Sequence, residues 1–182
     1  MDIIAQGIGI VAMFFNIFSY QQKSGKGVIG FQLFGGMLFA INFFMLGAIG
    51  GGILNVIAVI RAILFLNREK FKMDRIGWMF AFLAAYVASY VLTFTVFGKE
   101  PTVFNFVIEC LPVIGMMLTT IAFRFSDAGI IRRYGFLCSI AWLIYNIAVL
   151  SIGAICCEAF SIISIIVGFL RLDRKKEADK KA

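Results

Sequence analysis

The residues of this chain that could do chemistry lie inside long apolar stretches. Two carboxylates, Glu109 and Glu158, and one guanidinium, Arg61, interrupt runs that otherwise carry almost no charge. An ionisable side chain surrounded by hydrocarbon costs at least about 2.5 kcal/mol, so such groups usually face a cavity or a partner. Arg61 lies toward one end of its run, where its long stem could carry the charge to water or the guanidinium could be paired inside the protein.

Glu158 is the strongest candidate for a ligand-binding residue. It follows a tight hairpin predicted at 151–153, as Asn55 follows a glycine-rich hairpin predicted at 47–52, and Asn42 and Asn146 lie near the ends of the preceding runs. Amides and a carboxyl group offer both donors and acceptors, which suits a small polar solute. We predict that Asn55 and Glu158 line a site, with Asn42, Asn146 and Trp142 nearer its outer mouth. Alternatively, the Asn side chains only join helices by hydrogen bonds.

Other kinds of chemistry find little support in the sequence. The chain contains no histidine, and its cysteines lie in apolar runs without the spacing of metal ligands; they are Cys110, Cys138, Cys156 and Cys157. It also lacks a nucleophile-base pair and a phosphate-binding glycine loop after a strand. The sequence therefore predicts no enzyme, no bound metal and no cofactor.

Composition indicates that the elements carrying these residues are membrane helices. Hydrophobic residues make up 62% and charged residues 15% of the 182 positions, whereas soluble domains are roughly 45 to 50% apolar. A helix needs about 20 apolar residues to cross the hydrocarbon. Runs of that order are apolar all round, which favours helices over barrel strands; they are 3–20, 28–49, 51–66, 76–97, 103–123, 134–150 and 153–170. The lipid bilayer is therefore a predicted partner.

Lys and Arg residues are distributed unequally between alternate connections. Fifteen lie in the first, third and fifth connections and the tail, including Arg132 and Arg133, whereas Lys99 alone lies in the others. Cytoplasmic loops are enriched in Lys and Arg, so we predict an outside N-terminus and a cytoplasmic C-terminus. The net charge of +7 then reflects topology rather than nucleic-acid binding. The basic tail, 172–182, is either a topology anchor or a lipid-binding patch.

The two halves of the chain form a weak internal repeat. Superposing them aligns Asn42 with Asn146 and Leu46 with Leu150, while the run 76–97 has no counterpart. We predict an all-α integral membrane protein with seven transmembrane helices, arranged as two parallel three-helix bundles, 1–67 and 103–171, joined by a linker helix, 76–97. Parallel repeats about an axis normal to the membrane occur in transporters, although a duplicated bundle could also serve packing alone.

Several motifs resemble the YgjV family of bacterial inner-membrane proteins over nearly the whole chain. They are Leu111-Pro-Val-Ile-Gly115, Arg132 with Arg133, Trp142-Leu-Ile-Tyr-Asn146, and Glu158 leading to Arg171. Asn16 and Ser19-Tyr-Gln-Gln-Lys23, followed by Asn42 and Asn55, are similar to the N-terminal half of that family. The resemblance implies a location in the bacterial inner membrane more than a particular activity.

At a greater distance, the three-one-three layout resembles the SWEET and PQ-loop transporter group. That likeness implies a small polar solute moving through a cavity between the two bundles by alternating access. It also implies a proline in the first helix of each bundle, but only Pro112 matches, and Tyr20-Gln21-Gln22 replaces the proline-glutamine pair. We assign gating or structural roles to Pro112, Arg61 and Glu109.

A non-transporting scaffold or regulator is the alternative function. Its support is a small-xxx-small motif at Gly36 and Ala40, which suits close helix packing. An interior cavity lined by Asn55 and Glu158 would favour transport, whereas a dry apolar interior would favour a scaffold. The sequence leaves open whether one chain suffices or a homo-oligomer forms.

Overall fold

The described part of the chain is helical throughout. The computed structural model describes residues 3–45, 49–125, 127–148 and 152–173, which contain no strand. The helices within these ranges are α1 (Ile3–Ser19), α2 (Gly25–Met45), α3 (Ile49–Leu66), α4 (Arg68–Phe71), α5 (Ile76–Thr95), α6 (Val103–Phe123), α7 (Ala128–Ala148) and α8 (Ile152–Gly168), and a π-helical turn, Phe169–Asp173, continues α8. The all-α class is thereby confirmed. Residues 46–48 and 149–151, which include parts of the predicted hairpins 47–52 and 151–153, and most of the basic tail, 174–182, lie outside the described residues.

Four of these segments are long and apolar enough to cross a membrane: Gly25–Met45, Ile76–Thr95, Val103–Phe123 and Ile155–Asp173. The segments Ile3–Ser19 and Gly51–Leu66 are apolar but shorter. Helix α7 has 21 residues but carries Arg132 and Arg133 near its start. Many large apolar side chains point outward, among them Phe80 at 60% exposure and Val103 at 81%. Apolar exposure on this scale marks a surface that meets lipid or another protein rather than water alone.

Polar side chains decide where three helices begin. Ser24 accepts a hydrogen bond from the Gly27 amide before α2, and Thr102 accepts one from the Asn105 amide before α6. Asp127 accepts bonds from the Gly129 and Ile130 amides at 2.8 and 3.2 Å. These side chains satisfy amides that have no partner in the first turn of a helix.

The cap at Asp127 corrects one boundary prediction. Helix α7 begins at Ala128, whereas the sequence predicted a loop up to Tyr134. Arg132 and Arg133 are therefore helical residues, and Arg132 is only 2% exposed. Charge counting missed this because it scores any arginine between apolar runs as a loop residue.

The glycines predicted to form a hairpin are instead packing residues of α3. Helix α3 begins at Ile49, so Gly51 and Gly52 lie within it. A methyl group at Gly51 would come within 3.2 Å of the Phe43 ring, and one at Gly52 within 2.5 Å of the Phe44 ring. The missing side chains let these rings of α2 lie directly on the backbone of α3.

The helices pack largely in chain order. Helix α2 contacts α1 and α3, and α7 contacts α6 and α8, while α5 contacts α3 and α6. The two halves meet where α1 contacts α8, α2 contacts α7, and α3 contacts α6. A buried apolar cluster joins the halves, and within it the rings of Phe65 and Phe123 meet edge to face at 5.7 Å.

Two connections between helices are tied together by hydrogen bonds. Arg68 pairs with Asp74 and donates to the Arg124 carbonyl at 2.8 Å. Arg124 in turn donates to the Asp74 carbonyl at 2.7 Å. The connection that contains α4 is thereby attached to the one between α6 and α7.

Candidate functional site

A cavity of about 360 Å³ lies between the first three and the last three long helices. Helices α1, α2, α3, α6, α7 and α8 all contribute to its wall, whereas no described residue of α5 does. Its size falls within the range of small-molecule sites, about 300 to 1,000 Å³. The cavity is therefore a property of the two halves together.

All five side chains predicted to bind a solute line this cavity: Asn42, Asn55, Trp142, Asn146 and Glu158. Arg61, assigned a gating or structural role, lines it as well. Pro112 and Glu109 do not reach it and instead border a separate pocket of about 20 Å³. Pro112 lies within α6, where it lacks the amide that would bond to the preceding turn.

Glu109 forms its contacts with Lys99 and Tyr145 rather than with residues of the cavity. Its carboxylate pairs with Lys99 and accepts a hydrogen bond of 3.4 Å from the Tyr145 hydroxyl. The single basic residue assigned to the outer connections is thus used in an ion pair. These contacts lie apart from the cavity.

Sequence reasoning missed several other polar residues of the wall: Gln6, Asn16, Gln32, Thr119, Ser139 and Ser161. Their helical spacing was the available signal. In α1, Gln6, Gly9, Met13 and Asn16 follow one another at three or four residues and all line the cavity. Residues at that spacing share one face of a helix. A search for polar faces, rather than for single Asn residues, would have found α1.

The amides of the predicted site are only partly used by the protein. Asn42 Nδ2 donates to the Ala5 carbonyl at 2.6 Å, and Asn55 Nδ2 donates to the Gly51 carbonyl at 2.9 Å. The Asn42 and Asn55 amide oxygens accept no hydrogen bond from a described residue. Asn146 is 5% exposed and makes no hydrogen bond to the described part of the chain. Ser139 of α7 and Glu158 of α8 both line the cavity.

Arg61 is turned into the protein rather than toward water. It is 5% exposed, and its Nη1 donates to the Tyr86 hydroxyl at 3.1 Å and to the Met116 carbonyl at 3.0 Å. Nη1 also lies 3.4 Å from the Thr120 hydroxyl, and the guanidinium carbon lies 5.0 Å from the centre of the Phe123 ring. Every one of these partners is electrically neutral. The alternative in which Arg61 reaches the water is therefore excluded.

One end of the cavity, marked by Tyr20, is crossed by hydrogen bonds between the halves. Arg132 Nη1 donates to the carbonyls of Tyr20 and Gln22 at 3.2 and 2.7 Å. Gln21 Nε2 donates to the Ser164 carbonyl at 2.6 Å and to its hydroxyl at 2.9 Å. The Ser164 hydroxyl donates to the Ile17 carbonyl at 2.6 Å.

An ion pair holds Arg132 in this position. Its Nε donates to Asp173 at 2.9 Å, and its Nη2 forms a second bond to the same carboxylate. Such a two-point contact fixes the plane of the guanidinium. Arg132, predicted to be a loop charge, is thus a buried residue that connects α7, the end of α8 and the connection after α1.

The residues described here offer no evident metal site. They contain no cluster of three or more His, Cys, Asp or Glu side chains able to hold a metal ion. The four cysteines are free thiols. Among these cysteines, Cys138 and Cys157 line the cavity.

Comparison with known proteins agrees with the helical, apolar character of the chain. The family model Imp-YgjV, described as bacterial inner membrane protein, matches residues 3–176. No curated protein and no solved structure matches the chain. Since the family model covers nearly its whole length, the chain belongs to the Imp-YgjV family of bacterial inner membrane proteins.

Proposed function

We propose that this protein carries a small polar solute across the bacterial inner membrane by alternating access, in the manner of the SWEET and PQ-loop group. The observation that carries the proposal is the polar cavity shared by α1, α2, α3, α6, α7 and α8. A scaffold needs no such space, because apolar packing would fill it. The Gly36 motif offered for a scaffold also faces inward, since a methyl group there would meet Val59 of α3 at 3.5 Å.

The proposed topology has seven spans in a three-one-three arrangement. The packing of α1 to α3 and of α6 to α8 in chain order supports two bundles, and the absence of described α5 residues from the cavity wall supports a linker role for α5. The excess of Lys and Arg in alternate connections supports an outside N-terminus and a cytoplasmic C-terminus. Since all six helices that line the cavity belong to one chain, we propose that a single chain forms the pathway.

The hydrogen bonds near Tyr20 form the proposed cytoplasmic gate. Each hydrogen bond that joins the two halves there has at least one uncharged partner. The Arg132–Asp173 ion pair lies within the second half and does not join the halves. A neutral hydrogen bond contributes roughly 0.5 to 1.5 kcal/mol net, and one from a charged donor such as Arg132 about 1.5 to 3 kcal/mol. A few such bonds can hold the end closed and still break during a transport cycle.

Opening of this gate can be measured with Ser164→Ala, which removes the hydroxyl bonds to Gln21 and Ile17. We expect Cys138, on the cavity wall, to react roughly three to thirty times faster with a charged methanethiosulfonate added from the cytoplasmic side. The measurement uses inside-out vesicles and a protein in which the other three cysteines are serine. Thr93→Val, which removes only a bond to the Ser89 carbonyl in α5, is the control and should leave the rate unchanged. Equal rates in the two variants would contradict the gate.

Solute binding is tested by comparing Asn55→Ala with Asn67→Ala. Each asparagine donates a 2.9 Å bond to the carbonyl four residues before it, but only Asn55 lines the cavity. A thermal-shift screen against sugars, amino acids and other metabolites identifies a ligand, because binding raises the melting temperature. We expect Asn55→Ala to weaken its binding and its uptake into proteoliposomes roughly three- to tenfold. Asn67→Ala should not change either quantity. Equal affinity in the two variants would remove Asn55 from the site.

A further inference from the structure

The cavity wall contains a cation with no carboxylate partner. Arginine carries a positive charge in proteins, yet Arg61 forms no ion pair with a described residue, and its Nε is buried without any hydrogen-bond partner. Nη1 makes all the hydrogen bonds of the guanidinium to the described part of the chain. Nη2 therefore remains available to a ligand.

The same wall contains a carboxyl group with no basic partner. Glu158 of α8 lines the cavity, and no Lys or Arg among the described residues pairs with it. Arg61 and Glu158 do not form an ion pair with each other, although both face the same space. Opposite charges are thus kept apart on two helices of different halves of the chain.

We propose that the cavity binds a zwitterion, a solute that carries a carboxylate and an ammonium group in the manner of an amino acid. The Nη2 group of Arg61 suits the carboxylate, because a charged donor forms a stronger hydrogen bond to a carboxylate oxygen than a neutral donor does. The carboxylate of Glu158 accepts the ammonium. This inference rests on the proposed solute-carrying function and specifies its substrate class.

The free-energy cost of leaving a buried charge unpaired favours a zwitterion over an uncharged or singly charged solute. An uncharged sugar leaves both Arg61 and Glu158 unpaired, and an ion of either sign pairs only one of them. A buried charge is stabilised only by a close partner with good hydrogen-bond geometry. A zwitterion pairs both charges and adds no net charge to the interior of the membrane. Apolar neighbours in the wall, including Phe39 and Trp142, leave a hydrophobic surface for the rest of the solute.

The wild-type protein in detergent provides the first test. Thermal shift and calorimetry compare glycine, leucine and phenylalanine with the amine and the acid that each lack one of the two charged groups, and with glucose. We expect at least one amino acid to bind roughly ten- to a hundredfold more tightly than its amine or its acid, as expected for loss of one charge-assisted interaction. The proposal is overturned if glucose or a singly charged analogue binds as tightly as the amino acids, or if none of the amino acids binds.

Two variants assign the charges. In Arg61→Gln the amino acid should bind no better than its amine, and in Glu158→Gln no better than its acid. Arg61→Lys, which keeps the charge, should retain part of the preference if the glutamine variant fails to fold. Arg75→Gln, at an exposed position before α5, is the matched control. The same loss of affinity for every probe in both glutamine variants would contradict the assignment.

Uptake separates this inference from the transport proposal. If the zwitterion binds but proteoliposomes do not accumulate it, the site is retained and the carrier function fails. If glucose is accumulated in a manner that depends on Asn55 while amino acids are ignored, the carrier function is retained and the zwitterion site fails.

Discussion

Replacing Arg132 with methionine is expected to lower the free energy of unfolding by about 3 to 5 kcal/mol. The substitution leaves the Asp173 carboxylate, which is 11% exposed, without its cation. It also removes the donor to the Tyr20 and Gln22 carbonyls. The loss is measured by unfolding in mixed micelles with increasing denaturing detergent, and by the melting temperature.

Arg133→Met is the matched control for this experiment. Arg133 is the next residue of α7, is exposed, and lies 5.9 Å from the centre of the Phe169 ring. Because Arg133 is exposed, its replacement should cost about 1 kcal/mol or less, whichever surface contacts it makes. The double variant Arg132→Met/Asp173→Leu should recover much of the loss, because a buried ion pair can be replaced by apolar residues at little cost. Equal stability of the two single variants would show that Asp173 does not depend on Arg132.

Gly168→Ala is expected to destabilise the protein by about 1 to 3 kcal/mol. A methyl group at this position would lie 2.5 Å from the Tyr20 carbonyl oxygen and 3.0 Å from the Arg132 side chain. A backbone oxygen cannot rotate away, so α8 must shift from the connection after α1. This cost outweighs the preference of about 1 kcal/mol for alanine over glycine in a helix. The melting temperature of the purified protein reports the effect.

Gly30→Ala in α2 is the control for Gly168→Ala. No atom lies within 4 Å of a methyl group placed there, so only the helical preference remains. We expect unchanged or slightly raised stability, by up to about 1 kcal/mol. If Gly168→Ala is as stable as Gly30→Ala, α8 does not approach Tyr20 as closely as the structure places it.

The sequence predicted much of the candidate site because polar groups are rare in apolar runs. Asn42, Asn55, Asn146 and Glu158 were distinguished by residue type alone, and the cavity contains all four. Gln6 and Asn16 were missed because no single position marked them, although their spacing placed them on one face of α1. Residue type alone identifies single polar residues inside an apolar run, whereas the spacing between residues is needed to identify a polar helix face such as that of α1.

Arginine shows the limit of such reasoning. The sequence placed Arg61 in an apolar run and Arg132 in a loop, yet both are buried in the structure. In the structure Arg132 pairs with Asp173, 41 residues away, while Arg61 has only neutral partners. Nothing in the neighbouring sequence of either residue encodes this difference, because it depends on which helices lie side by side.

What the sequence by itself determined is the class of protein: helical, suited to a membrane, and recognisable by its motifs as a member of the Imp-YgjV family. These properties follow from hydrophobicity and local pattern, which sum along the chain without reference to the fold. Only the tertiary structure decided that Arg132 is buried, which glycines pack against rings, and which charges meet. Those outcomes depend on contacts of a few ångströms between distant segments, and such contacts exist only once the helices have packed.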